Sequence, residues 1–240
     1  MASCVAAASL ALAAPPARPA DMPAAAENTG PEPFAAHYVA EWHDISVGTS
    51  DLQLERDSQP GQYHYKWIIS ARGIFRLAYS HDLIQQSWFG VIDNHVRPNR
   101  YRGEEGSSFV AFEFDWESGH ARGSSEGKPV DLVLKSGTQD LMSIQVEVML
   151  DLKNGTLPPT FYIIDKDQMK EFFYTREGTA KLGTEVGMLD TVIVASRRGP
   201  TDSRVLRMWF APDMGYLPVQ AERSRDGRLE FAMRIKTLQR

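Results

Sequence analysis

Residues 62–70 read Gln62-Tyr63-His64-Tyr65-Lys66-Trp67-Ile68-Ile69-Ser70, with Tyr63, Tyr65, Trp67 and Ile69 at one parity and Gln62, His64, Lys66 and Ser70 at the other. A strand sends successive side chains to opposite faces, so this alternation is that of a half-buried β-strand. The same period recurs in Val110, Phe112, Phe114 and Trp116, in Phe172 with Tyr174, in Leu206, Met208 and Phe210, and in Leu229, Phe231, Met233 and Ile235. Turn-forming residues bound these runs at Ser58 to Gly61, Glu117 to Gly119, Asp165 to Gln168, Gly199 to Asp202 and Asp226-Gly227. Strands spaced this way without helices between them predict an antiparallel sheet in a sandwich or barrel. In the first strand Tyr38, Ala40 and Trp42 share a parity that Ile45 and Val47 break, which predicts a bulge near His43 and Asp44.

One segment reads differently. Leu141, Ile144, Val148 and Leu152 fall on a single helical stripe, Ser136 and Gln139 have capping-box spacing, and Gly155 with Pro158 and Pro159 stops the run. A helix is expected over about 139–153, with Ser143, Glu147 and Asp151 on its outward arc. Its apolar arc is wider than a surface helix needs. The expected architecture is therefore mainly β: a strongly curved antiparallel sheet, or incomplete barrel, wrapped around one central helix.

The chain's 240 residues suit one domain with a full core, and a net charge of −5 does not favour nucleic-acid binding. Residues 1–20 carry the apolar run VAAASLALAA at 5–14, which reads as an export signal. Ten apolar residues span only about 15 Å as helix, too little to cross a bilayer. Should translation begin upstream, Met1-Ala2-Ser3-Cys4 reads as a lipoprotein leader remnant, with Cys4 carrying lipid. Residues 21–36 are an Ala/Pro-rich linker and 37–240 the folded domain. With Cys4 as the single cysteine, neither an internal disulfide nor a multi-cysteine zinc site is available, and a periplasmic location is expected.

The short motifs of the chain resemble those of bacterial proteins of the domain of unknown function 3108. They are the Tyr38 to Gly48 strand running into a Val-Gly turn, VIDNHVRPNRY at 91–101 with Pro98 and Tyr101, Asp140-Leu141-Met142-Ser143, and Trp209-Phe210-Ala211-Pro212-Asp213 followed by Leu217-Pro218-Val219. The likeness runs over about residues 37–238. It departs at Gln145, Val146 and Glu147, where the family has an aromatic and an Arg. The resemblance implies an exported envelope protein related to open barrels that carry lipids or lipoproteins, and it gives Asp140, Ser143, Asp213 and Pro218 structural roles.

No convergent catalytic set emerges, and the protein is read as no enzyme. His37, Glu41 and His43 share a strand parity but sit opposite Tyr38 and Trp42, so they are read as solvated; no metal and no cofactor is expected. His81-Asp82 and Asp93 with His95 read as turn polarity, and Arg197, Arg198, Arg204 and Arg207 as a solvated hairpin tip. The aromatics are more informative. Tyr38, Ala40, Trp42, Trp67, Phe112, Phe114, Trp116 and Trp209 are the candidates for an apolar cleft that would take a hydrophobic or lipid-like ligand. The alternative is an assembly module that binds another envelope protein through sheet edges and loops.

Overall fold

A computed structural model describes residues 30–43 and 45–240. Fifteen strands run in chain order: β1 (Phe34–Trp42), β2 (Ile45–Arg56), β3 (Gln62–Ala71), β4 (Leu83–Ile92), β5 (His95–Glu105), β6 (Ser108–Asp115), β7 (His120–Ser125), β8 (Lys128–Val133), β9 (Gln139–Asp140), β10 (Thr160–Asp165), β11 (Gln168–Thr184), β12 (Gly187–Arg197), β13 (Arg204–Ala211), β14 (Leu217–Arg225) and β15 (Arg228–Gln239). A four-residue helix, α1 (Phe75–Ala78), lies between β3 and β4, and α2 (Ser143–Asn154) follows β9. All strands belong to one sheet, ordered β8 back to β1, then β15 back to β9, whose ladder is not closed into a barrel. Every pairing is antiparallel except the short one of β9 with β10. The predicted export signal, Cys4 and most of the linker lie outside the described residues.

Local chemistry accounts for the meander. The pairs Asp93-Asn94, Glu126-Gly127 and Asp226-Gly227 all have positive φ at both residues, the conformation that lets a two-residue turn follow the twist of its flanking strands. Between them the alternating residues supply one apolar face. Tyr38, Tyr63, Tyr65, Phe89, Phe112 and Phe210 are its largest fully buried side chains. One contiguous core collects this face from β1 to β7, from α2 and from β10 to β15.

Several expectations change. The chain enters the sheet at Phe34, whose side chain is buried, three residues before the expected start at His37. The first strand does not bulge at His43. It ends at Trp42 in a turn where His43 has φ 49°, and the register shift falls earlier, between Ala40 and Glu41. The residue skipped in that pairing is Val47 of β2, so β1 stays in phase; Trp42 shares the parity of Tyr38 and Ala40, but as the last residue of the strand it is 48% exposed rather than inward. In β13 Met208 and Phe210 share one parity and are core, whereas Trp209 has the opposite parity and lies half-buried on the core margin; the register shift beside them skips Val219 of β14 and leaves β13 in phase. Trp67 and Trp116 are half-buried as well, their indole N–H groups donating to Ser50 Oγ at 2.5 Å and the Pro98 carbonyl at 2.7 Å.

The corner after β13 is a 3-10 turn over Pro212–Met214, with Asp213 in it, followed by Gly215 and Tyr216 in the left-handed region. Pro218 is buried, and its carbonyl accepts the Tyr38 hydroxyl at 2.7 Å, tying β1 to β14 across the intervening β15. If this alternation sets the faces, Phe210→Ala lowers stability by about 3 to 5 kcal/mol and Trp209→Ala by less than half of that. Urea denaturation of the two variants checks the ranking, and the reverse order would contradict the assigned faces.

Candidate functional site

Two concavities lie at opposite ends of the β4–β5 pair. The first encloses about 480 Å³ beside Leu83 of β4 and Glu105 of β5. Its walls come from the same end of several strands: Ala40 and Trp42 of β1, Val47 and Gly48 of β2, Ile69 and Ala71 of β3, Arg223 of β14 and Phe231 of β15. Small residues leave the room. At Gly48 a Cβ would stand 2.4 Å from the Ser70 carbonyl oxygen, so the two strands approach closely only because that position has no side chain.

Phe75 and Tyr79, on α1 and its exit, close one side. An Arg76–Asp82 ion pair of 2.5 Å pins this connection, and Arg76 holds the Asp82 carboxyl below the usual carboxylate range. Of its lining residues Trp42 and Tyr79 are exposed, and Ile45, Ile74 and Leu77, each within two residues of a lining position in the sequence, are exposed as well. Trp42 and Ile45 are the facing ends of β1 and β2, and Ile74, Leu77 and Tyr79 belong to the β3–β4 connection, places where a folded domain ordinarily keeps polar residues.

The second concavity, about 640 Å³, opens beside the β4–β5 turn and α2. His95, Glu147, Trp116, Lys135, Phe161 and Tyr162 line it. Lys135 lies over the Tyr162 ring at 3.8 Å, and the Arg97 guanidinium over the Trp116 ring at 5.0 Å.

Behind this concavity sits a buried polar network that joins α2 and β9 to β4 and β5. Asp140 Oδ1 accepts the backbone N–H groups of Met142 at 2.7 Å and Ser143 at 2.8 Å, while Ser143 Oγ accepts the Asp140 N–H at 2.9 Å. The reciprocal pair has the logic of a capping box. It is Asp140 with Ser143, not Ser136 with Gln139 as the spacing suggested, and the helix begins at Ser143 because Gln139 and Asp140 are held as a strand against Ile163 and Ile164. Ser87 of β4 donates to Asp140 Oδ2 at 2.6 Å. Gln139 Nε2 donates to the Val96 carbonyl at 2.8 Å, and the Val96 N–H donates to Glu147 Oε2 at 2.5 Å.

Ser143, Glu147 and Asp151, expected on an outward arc, are therefore buried, and partners from β9, β5 and the α2–β10 connection meet them in turn. The apolar stripe is partly as expected: Ile144, Val148 and Leu152 are buried, whereas Leu141 precedes the helix and only borders the core. Burial outweighs three hydrogen bonds at Asp140 and pushes its carboxyl up to about 6. Burial, then the Glu147 carboxylate, push Asp151 up to about 6 as well, while a hydrogen bond to Glu147 raises His95.

Of the eight expected cleft residues, the structure brings Ala40 and Trp42 to the first concavity and Trp116 to the second. Tyr38, Phe112 and Phe114 are core, and Trp67 and Trp209 border it; none of these five lines either space. Phe75, Tyr79, Leu83 and Phe231 were missed as lining residues. A signal existed for the first two: Ile74, Phe75, Leu77 and Tyr79 crowd a short connection between Gly73 and His81. His37 and Glu41 are paired, with Asp51 at 2.7 Å and Arg234 at 2.9 Å. The arginine hairpin is not wholly free either, since Arg198 reaches buried Asp165 at 2.7 Å and Arg207 reaches Glu177 at 2.6 Å.

Residues 34–232 match the family model described as "Protein of unknown function (DUF3108)", and the chain belongs to that family. In fold it is similar to the crystal structure of a β-barrel-like protein of the domain of unknown function DUF1849 from Brucella abortus. The TM-score is 0.60 at 12% identity, covering 88% of this chain and 98% of that one. A weaker likeness, TM-score 0.38 at 12% identity, is to the complex structure of Pseudomonas aeruginosa MucA/MucB; it covers 89% of this chain and 53% of that one. No curated protein matches the chain.

The raised carboxyl of Asp140 makes stability depend on pH. Between the ordinary 3.8 and about 6 the folded state keeps a proton that the unfolded chain has lost, so this group's contribution is full below pH 4 and is lost as pH rises through 6. About two pKa units correspond to roughly 3 kcal/mol. Asp140→Asn keeps an acceptor for the two amides and offers Ser87 an N–H, and it removes this slope. Urea denaturation at pH 4.5 and 7.5 should show the variant gaining on the parent protein at the higher pH; a constant difference would contradict the assignment.

Proposed function

We propose that this DUF3108 protein is an exported, non-catalytic binding protein whose sheet curls around α2 and whose open end takes an apolar ligand such as an acyl chain. The observation that carries the reading is the concavity of about 480 Å³ whose lining sets the exposed Trp42 and Tyr79 beside Ile69, Phe75, Leu83 and Phe231. Its volume falls in the range of small-molecule sites, and its walls are mostly aliphatic and aromatic. The polar groups at the rim are already engaged in part: Arg223 pairs with Glu230 at 3.3 Å, and His81 Nδ1 meets Ser80 Oγ at 2.9 Å. They orient poorly for joint chemistry, which supports binding over catalysis.

Export is supported by the apolar run at 5–14 and by the absence of cysteine after Cys4. Among the described residues no helix is long and apolar enough to cross a membrane. Sheet-edge docking of another envelope protein is less favoured. Edge strand β8 carries Lys128, Pro129 and Asp131, residues that discourage strand addition, and the opposite edge strand, β9, is only two residues long.

A dansylated undecanoic acid serves as the probe. Saturable binding with a Kd in the micromolar range, about 8 kcal/mol, with quenching of tryptophan emission, is the expected result. Ala71→Trp fills the mouth from a half-buried lining position and should weaken binding tenfold or more with an unchanged far-UV spectrum. Unsaturable uptake, or equal binding by the variant, would overturn the reading.

A further inference from the structure

We propose that His95, Glu147 and Asp151 form a binding site for a divalent transition-metal ion of the Zn2+ class, at the end of the fold away from the apolar mouth and independent of it. One ligand atom from each residue lies within 4.8 Å of the others. Glu147 and Asp151 are one helical turn apart on α2, and His95 is brought over them by the β4–β5 turn. Two carboxylates at this spacing repel each other, and the repulsion grows when both are withdrawn from water. Both are buried, and among the described residues neither is paired with a Lys or Arg; His95 against Glu147 Oε1 at 2.8 Å is the one basic contact.

The unmet hydrogen bonding points to the same place. Among the described residues two buried side-chain polar atoms have no partner, Asp151 Oδ2 and Gln139 Oε1. Asp151 is 3% exposed, so water does not freely solvate that oxygen. Gln139 hydrogen-bonds the carbonyl of Val96, the residue whose N–H is held by Glu147. Every unsatisfied atom in this region is an acceptor, and a bound cation satisfies acceptors where another hydroxyl or amide is lacking.

The carboxylates are also oriented as ligands usually are, with one oxygen fixed by a donor and the other left to the metal. Glu147 Oε2 accepts the Val96 N–H at 2.5 Å and Oε1 faces His95. Asp151 Oδ1 accepts the Thr156 hydroxyl at 3.0 Å and Oδ2 is free. One imidazole and two carboxylates suit Zn2+ and its first-row neighbours; Ca2+ and Mg2+ prefer a shell of oxygens alone. Three protein ligands leave coordination positions on the side of the 640 Å³ concavity, which His95 and Glu147 line.

The test uses the full chain, stripped with a chelator, and Zn2+ alone as the probe in isothermal titration calorimetry. One equivalent binding at micromolar affinity or tighter, with a rise in melting temperature, is expected. Asp151→Asn should lose affinity about a hundredfold or more, and Thr156→Val about tenfold. His95→Ala keeps the test decisive should a helix variant fail to fold, because the side chain of His95 is exposed and its removal leaves the core intact; it too should lose most of the affinity. The absence of binding at about 100 μM free Zn2+, or binding that His95→Ala leaves unchanged, overturns the proposal.

Discussion

The fold depends on a buried carboxylate. Asp140 is fully buried, yet it accepts two helix amides and the Ser87 hydroxyl, so one side chain starts α2, terminates the sheet at β9 and attaches both to β4. The backbone alone could not do this. The β9–β10 ladder has two residue pairs, too few to fix where a helix rests on a sheet. Hydrogen bonds to a charged group are worth about 1.5–3 kcal/mol each, while removing a partner from a buried charge costs several kcal/mol. The network therefore specifies the position of α2 more than it adds to net stability. Its desolvation cost appears as the raised Asp140 carboxyl.

That network explains which parts of the structure could be read in the sequence. Period-two alternation located the strands, and the tyrosines of β3 and the phenylalanines of β6 lie on the face their parity assigned. Two tryptophans were nevertheless misplaced. The shifts at Ala40/Glu41 and Trp209/Phe210 lie beside them, but they skip Val47 of β2 and Val219 of β14 and leave β1 and β13 in phase. Trp42 has the inward parity but ends its strand, where parity alone does not secure burial, and Trp209 has the parity opposite to Met208 and Phe210 and so falls on the other face.

On α2 the failure has another cause. Ser143, Glu147 and Asp151 look like a solvent face because they are polar, but Ser87, His95 and Val96 meet the Asp140 and Glu147 carboxylates from 51 to 53 residues upstream. Nothing local announces such partners. The likeness to the DUF3108 motifs marked Asp140 and Ser143 as structural, and they are the two residues that close the first turn of the helix. The mouth cavity was half legible: Ala40 and Trp42 were candidates, but α1 is a single turn, too short for any period to reveal it.

The position of the apolar mouth follows from lengths. Strongly twisted open sheets rarely exceed about 10 strands without curling, so a fifteen-stranded sheet with one apolar face must curve to cover that face. β4 has 10 residues, about 33 Å, whereas the 12 residues of α2 span about 18 Å. The helix can line only part of the strand length. Its bonds to His95 and Val96 hold it toward the β4–β5 turn, and the Ser87–Asp140 and Tyr65–Gln145 bonds, from two residues paired across β3 and β4, set its start near the middle of β4. The other half, toward Leu83 and Glu105, lies beyond the reach of α2, is closed on one side only by the single turn of α1, and has Ala40, Gly48 and Ala71 where bulkier residues would fill the space. The same polar contacts that anchor α2 at one end thus leave the apolar concavity at the other.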